Sequence, residues 1–310
     1  MATHRAIAVW KLRTRTLELG ARTLVMGVVN ITPDSFSDGG RFLDAEAAVE
    51  QGLRLLDEGA DIVDLGAEST RPGSRAGGAA GTEFAPAVSG AEEQARLLPV
   101  LEGILRARPE AIVSIDTYKA GTAGAALAAG AEIVNDVSGF AWDAAMPAVC
   151  AEHGAGVVLM HTRGRPEQWR TQPPLEPDAL LAIVRAGLTA SMEAAAKAGI
   201  ALEALVLDPG YGFGKRFGEN YALLARQAEL LALGRPLLAG LSRKSFLGHT
   251  LAPLFDGADA PAQARDTASI AALVAAILHG ASMVRVHAVR PAVEAARIAD
   301  AILDAGSAAK

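Results

Sequence analysis

The sequence predicts an α/β chain closed into a (β/α)8 barrel, with a short β-hairpin in front of it. Three observations carry that prediction. Short apolar runs rich in β-branched residues alternate with longer amphipathic stretches, which requires parallel strands joined by right-handed crossovers. Eight such pairs fall within 310 residues, which favours a closed barrel over an open sheet. The apolar runs also empty into polar and turn-forming residues, at the end where barrels of this kind carry their chemistry.

Taken in order, residues 7–20 alternate loosely between apolar and charged side chains and stop at Gly20, as a hairpin does. The first barrel strand spans 24–29 and runs into VMGVVNITPDSFSDGG, where Asn30, Thr32, Pro33, Asp34 and the glycine pair end it. A helix over 44–58 follows, with Ala48, Leu53, Leu55 and Leu56 on its apolar face and Gly59 as its stop. The second strand, 61–65, ends in GAESTRPGS; a Gly/Ala-rich loop then occupies 73–90, and its glycine content predicts mobility without ligand. A helix over 91–107 precedes the third strand, 111–115, which ends in Asp116, Thr117, Tyr118 and Lys119.

A helix reaching residue 129 leads to the fourth strand, 132–134, ending in Asn135 and Asp136. Then come a helix over 144–153, a fifth strand over 156–160 ending in His161, and a proline-rich loop before a long helix over 178–198. The sixth strand, 204–207, ends in DPGYGFGK and is followed by a helix over 221–233. The seventh, 237–241, ends in Ser242, Arg243, Lys244 and Ser245, with a helix over 261–278. The eighth, 282–286, ends in His287, and a helix over 291–303 closes the chain. The whole chain, 1–310, reads as one TIM-barrel domain, with the hairpin in segment 1–22 and the barrel in 24–305.

Composition narrows the partners. A net charge of -6 and a pI near 5.6 disfavour nucleic acid or an anionic membrane as a general partner, though not a local basic pocket. The single cysteine, Cys150, excludes an intrachain disulfide and fits a reducing compartment; its place on an amphipathic stretch reads as core packing. The basic first residues lack the apolar core of a signal peptide, and no apolar run, the Ala-rich 268–278 included, is long enough to span a bilayer. A soluble, cytoplasmic protein with no membrane partner is the expectation.

The strand ends supply two kinds of group. Asp116, Asp136 and Asp208, with Asn30 and Asn135, offer acceptors; Arg71, Arg243, Lys244, Arg285 and His287 offer cations. A pocket with both suits a ligand with a donor-rich neutral end and an anionic phosphate or diphosphate end. The three carboxylates taken alone also suit a metal-dependent lyase. GYGFGK is not a phosphate loop, because Pro209 stands at its first glycine position and Arg216 follows Lys215. The histidines His153, His161, His249 and His279 show no zinc-ligand spacing, and His161 alone ends a strand.

The blocks VMGVVNITPDSFSDGG, DIVDLGAESTRPGS, SIDTYK, EIVNDVSG, VVLMH, LDPGYGFGK, LLAGLSRKSFLG and VRVHAV occur in order from about residue 24 to 288. In these the sequence closely resembles the dihydropteroate synthase family. The resemblance implies condensation of (7,8-dihydropterin-6-yl)methyl diphosphate with 4-aminobenzoate, with Mg2+, in folate biosynthesis. Asp116, Asn135, Asp208, Lys244, Arg285 and Phe213 are then expected at the pterin. Asn30, Arg71, Arg285 and His287 are expected at the diphosphate, with Asn30 also a metal ligand. Phe36, Thr70, Arg71, Pro72, Phe213 and Ser245 are expected to frame 4-aminobenzoate. Asp116, Lys244, Asn30 and Arg285 are the expected catalytic set, in an SN1-like displacement. Sulfonamides are expected to compete with 4-aminobenzoate, and a homodimer is expected. The rivals are a non-catalytic pterin-binding paralogue and a methyltetrahydrofolate-dependent methyltransferase-type barrel, which lacks the TPDSFSD, STRPG and SRKSF segments.

Overall fold

The computed structural model describes residues 5–31, 40–68 and 88–308. Eight parallel strands close into a barrel: β3 (Leu24–Asn30), β4 (Ile62–Gly66), β5 (Val113–Asp116), β6 (Ile133–Asp136), β7 (Gly156–Met160), β8 (Leu205–Asp208), β9 (Leu237–Ala239) and β10 (Ala281–Val286), with β10 returning to β3. Ahead of them β1 (Ala8–Lys11) and β2 (Thr16–Leu19) pair antiparallel as the expected hairpin. The crossovers carry α1 (Gly40–Asp57), α2 (Gly90–Ala107), α3 (Ala120–Ala128), α4 (Met146–His153), α5 (Pro177–Lys197), α6 (Phe217–Ala225), α7 (Ser245–Thr250) and α8 (Asp266–Leu278), and α9 (Val289–Ala308) ends the chain. The expected extent of the loop at 73–90 lies almost wholly outside the described residues.

The hairpin has a structural job that fixes which end of the barrel is open. Trp10, Leu12 and Leu19 are buried against Leu24, Met26, Ile62, Ile133, Val158, Val206, Leu238 and Met283, the inward side chains of the lower barrel. The Trp10 indole Nε1 donates to the Ala204 carbonyl at 2.9 Å, so even its polar atom is satisfied. Gly156 makes room for this plug, since a Cβ there would lie 2.5 Å from Leu12 Cδ2. The N-terminal mouth is therefore stoppered with apolar side chains, and polar groups are left to the C-terminal mouth.

A second, larger core lies between strands and helices, where outward residues such as Val63, Leu65, Val113 and Ile115 meet Leu97, Leu101 and Ile104 of α2. Cys150 belongs to it; burial pushes its thiol up to about 12, which leaves it a packing residue as the sequence suggests. One expectation is corrected here. The 21-residue α5 is by length and composition apolar enough to cross a membrane, contrary to the reading that no such run exists. In the fold it lays Leu180, Leu181, Val184, Leu188 and Ala195 on the barrel.

Helix boundaries differ where tertiary contacts override local pattern. The stretch expected as one helix over 221–233 is α6 followed by a 3-10 turn, Gln227–Leu233. Gln227 is fully buried, accepts from Tyr211 Oη at 2.7 Å and donates to the Ala276 carbonyl at 3.0 Å; these bonds draw the chain inward and break the helix. The start of α6 falls four residues earlier than expected, where the Glu219 carboxylate accepts from the Arg216 backbone N–H at 2.8 Å. The short α7 lies between the seventh strand and the helix expected from 261, a stretch to which the sequence pattern assigns no element.

Candidate active site

Strand register brings the expected polar groups into one row. Asn30 pairs Gly66, Gly66 pairs Asp116, and Asp116 pairs Asn135 across four successive strands. Residues paired in this way share a face, and these four face into the upper barrel. Asn30, Asp116, Asn135 and Asp208 line one cavity of about 830 Å³ together with Lys244, Ser245, Phe213, Arg285 and His287. The row forms because each strand ends in a polar residue at an inward position, while Gly66 contributes no side chain.

Below that row sits a carboxylate the strand ends did not reveal. Asp64 is fully buried in the middle of β4, two residues beneath Gly66. Its Oδ2 accepts from Arg285 Nε at 2.6 Å and from Asn135 Nδ2 at 3.1 Å. Arg285 reaches on through NH2 to Asp116 Oδ2 at 2.7 Å. One guanidinium thus spans two carboxylates and is locked in orientation at both ends. Burial works against the charge on Arg285, but Asp64 and Asp116 outweigh it and hold the guanidinium above its ordinary range. Burial pushes Asp116 up to about 7; Arg285 opposes that push, and Asp64 and Glu93 add to it. Asp64 is named by period-two parity rather than by position: it shares its face with Ile62 and Gly66, so it must point into the barrel.

The opposite wall comes from β8 and β9. Asp208 is raised by burial, against the backbone N–H of Gly210 at 2.7 Å from its Oδ1 and the nearby charge of Lys244. The Lys244 ammonium lies 3.9 Å from the centre of the Phe213 ring, a cation–π contact. Phe213 is held edge-on by Trp169 at 5.2 Å. His287 Nδ1 and its backbone N–H both meet Ser242 Oγ, at 3.0 and 3.2 Å, so Ser242 sets the orientation of the ring. Arg243 also reaches the cavity, with φ at +58°, but its guanidinium is bidentate on Asp266 at 2.7 and 2.9 Å.

Among the described residues lining the cavity, Arg170, Lys215, Arg216, Arg243, Lys244, Arg265 and Arg285 stand against Glu68, Asp116 and Asp208. A chain of net charge -6 therefore concentrates positive charge at one mouth, which draws in anions. Acceptors and cations share this one cavity, the combination that suits a ligand with a donor-rich head and an anionic tail.

Known proteins resemble this chain over most of its length. The profile of the family described as pterin binding enzyme matches residues 26–287. The dihydropteroate synthase of Mycobacterium leprae is 47% identical over 91% of this chain and 94% of its own length. The chain belongs to the dihydropteroate synthase family. Among solved structures, the Yersinia pestis dihydropteroate synthase in a sulfonamide drug complex superposes with a TM-score of 0.82, at 38% identity, covering 96% of this chain and 99% of that one. The Xanthomonas albilineans dihydropteroate synthase with 4-aminobenzoic acid gives 0.82 at 38% identity, covering 96% and 98%.

Against the expectations for a dihydropteroate synthase, Asn30, Asp116, Asn135, Asp208, Phe213, Lys244, Ser245, Arg285 and His287 all line the one cavity. Phe36, Thr70, Arg71 and Pro72 lie outside the described residues. Asp136, grouped in the sequence with the other strand-end carboxylates, is not part of the cavity wall. It is one residue out of phase with Asn135, and its oxygens accept from Ser138 N, Ser138 Oγ and Phe140 N at 2.8, 2.7 and 2.8 Å. The triad of Asp116, Asp136 and Asp208 suggested for a metal-dependent lyase is therefore not assembled; among the described residues no group of three acidic, histidine or cysteine side chains could hold a metal ion. His161 is buried and packed on Gly187, whose Cβ would lie 2.5 Å from its Cδ2, so it is a packing residue with no place in the cavity.

Proposed function

We propose that this chain joins (7,8-dihydropterin-6-yl)methyl diphosphate to 4-aminobenzoate, giving 7,8-dihydropteroate and diphosphate, as a transferase of folate biosynthesis. The observation that carries this reading is the convergence of Asp116, Asn135 and Asp208 with Lys244, Arg285 and His287 in one cavity. Asp208 and Asn135 meet the donor-rich edge of the pterin, and a buried carboxylate pairs with an amino-pyrimidine edge through two parallel hydrogen bonds. Lys244 and Arg285 flank the ring, and His287 and Arg285 reach toward the diphosphate.

The C–O bond to diphosphate breaks with its electron pair leaving on oxygen, and the methylene cation left behind is conjugated with the electron-rich pterin. Asp116, ionised and held in place by Arg285, stabilises that developing charge. The arylamine nitrogen then forms the new C–N bond and gives up a proton, so no strong base is required. The donor chemistry at Asn30 fits Mg2+: an amide oxygen at the end of β3 is a hard ligand for an ion that takes its remaining ligands from phosphate and water. Bound there, Mg2+ would draw charge from the departing diphosphate. Phe213 and Ser245 line the cavity at the space we assign to 4-aminobenzoate; Phe36, Thr70, Arg71 and Pro72 are assigned to the same substrate from the family resemblance alone. Sulfonamides, which the Yersinia pestis relative binds, compete for that space. A homodimer in a reducing cytoplasm completes the reading, from the family resemblance and the single buried cysteine.

The test is diphosphate release from the dihydropterin diphosphate with Mg2+, with and without 4-aminobenzoate. Release that depends on 4-aminobenzoate, with dihydropteroate as product, supports the synthase. Pterin binding without turnover identifies a non-catalytic paralogue.

A further inference from the structure

The segment DPGYGFGK imitates a phosphate loop in sequence, yet its lysine cannot bind phosphate. Lys215 is 7% exposed, and its Nζ donates to three backbone carbonyls, Gly210 at 2.7 Å and His161 and Phe213 at 3.3 Å. An ammonium has three N–H groups, and all are taken. The carbonyls converge because the turn after β8 is built on left-handed glycines. Gly210, Gly212 and Gly214 have φ of +70°, +83° and +70°, and a Cβ at Gly210 would lie 1.9 Å from the His161 oxygen.

We propose that Lys215 is a positioning residue for the reaction: its ammonium staples the β8 turn to the end of β7, and so aims Phe213 at Lys244 and the substrates. The proposal rests on the synthase reading for its kinetic consequence, but the staple itself is a property of the turn. Phe213 is the link. Its carbonyl is one of the three held by Lys215, its ring faces the Lys244 ammonium at 3.9 Å, and Trp169 fixes its edge. Asn220 of α6 fastens the same turn from the other side, accepting from Gly212 N at 2.7 Å and donating to the Lys215 carbonyl at 3.3 Å.

The staple depends on charge. A neutral amine keeps only two N–H groups and turns its lone pair toward the third carbonyl. The groups around Lys215 come from every neighbouring element: Asp208 from β8 and Glu219 from α6 favour the ammonium, while Lys244 after β9 and Arg163 after β7 oppose it, and burial keeps the His161 ring neutral. Burial dominates and pushes the ammonium down to about 7, within reach of ordinary assay pH. As pH rises through that value the turn loosens and kcat falls.

The experiment compares the full-length chain with Lys215→Met and Lys215→Arg, using steady-state kinetics in both substrates from pH 6 to 9 and hydrogen–deuterium exchange of a peptide spanning residues 209–216. The expected result is a fall in kcat for Lys215→Met of about ten- to a hundredfold, the scale for a misplaced contact near the reacting centre. Faster exchange confined to that peptide accompanies it. Lys215→Arg, which stays charged, recovers part of kcat and loses the alkaline fall. A Lys215→Met chain with unchanged kcat or unchanged exchange overturns the proposal. So does a parent chain whose kcat stays flat from pH 7 to 9, a result that stands even if Lys215→Met fails to fold. Absence of dihydropteroate synthesis by the parent chain refutes the functional reading alone; the exchange comparison then still decides the staple.

Discussion

Asp64→Asn separates a supporting carboxylate from a merely buried one. In the parent chain Asp64 Oδ2 meets Arg285 Nε at 2.6 Å and Asn135 Nδ2 at 3.1 Å, with no solvent contact. Asparagine is the same shape and leaves one acceptor in place, so the change removes charge rather than volume. A charge-assisted bond is worth about 1.5–3 kcal/mol and a neutral one about 0.5–1.5, so the exchange loses about 1–2 kcal/mol. Arg285 keeps its second anchor on Asp116 at 2.7 Å, which holds the loss to that range. If Arg285 and Asn135 are aligned for the pterin by Asp64, the loss appears in kcat/KM for the dihydropterin diphosphate as about 5- to 30-fold. KM for 4-aminobenzoate should stay within about twofold, because Asp64 is far below the arylamine space. The assay is initial-rate diphosphate release with each substrate varied, beside thermal unfolding. A folded Asp64→Asn chain with kcat/KM for the pterin substrate within twofold of the parent refutes the reasoning, and so would an equal loss on both substrates.

Two further outcomes follow from the same geometry. Trp10→Ala empties the stopper of the barrel floor and should cost about 3–5 kcal/mol in denaturant unfolding, with KM for both substrates nearly unchanged; a shift below 1 kcal/mol would mean the hairpin is not part of the core. For Asp116, pushed up to about 7 by burial, kcat/KM for the pterin substrate should fall as pH drops below that value, because the neutral acid cannot stabilise a cation. The folded chain binds that proton more tightly than the unfolded one, so the Asp116 contribution to stability declines as pH rises from about 4 to 7 while activity climbs. A kcat/KM that is flat from pH 5.5 to 8 would contradict this.

The barrel was legible because its signals are local and repeated. Strand β7 lies where the sequence puts it, bounded by Gly156 and the polar His161. What local pattern does not contain is the pull of a distant partner: the 3-10 turn after α6 follows from Gln227 reaching Tyr211 and Ala276, residues remote in sequence. The same limit explains Arg243. It reads as a pocket cation at a strand end, and it is at the pocket, but Asp266 on α8 claims its guanidinium with both oxygens. Four of the residues expected at 4-aminobenzoate, Phe36, Thr70, Arg71 and Pro72, fall outside the described residues.

The two errors among the carboxylates share one physical cause. Reading strand ends selects residues by how far along a strand they lie, whereas a barrel selects them by which face they occupy. Asp136 lies far enough along β6 but on the wrong parity, so its charge is spent on the N–H groups of Ser138 and Phe140 in its own loop. Asp64 lies too early along β4 but on the right parity, and Arg285 reaches down to it at 2.6 Å. Parity is fixed by the strand itself, since successive side chains alternate. Depth is negotiable, because an arginine from β10 spans the gap between layers. Asp64, in phase with Asp116 on the neighbouring strand, is therefore part of the site because Arg285 of β10 joins the two carboxylates.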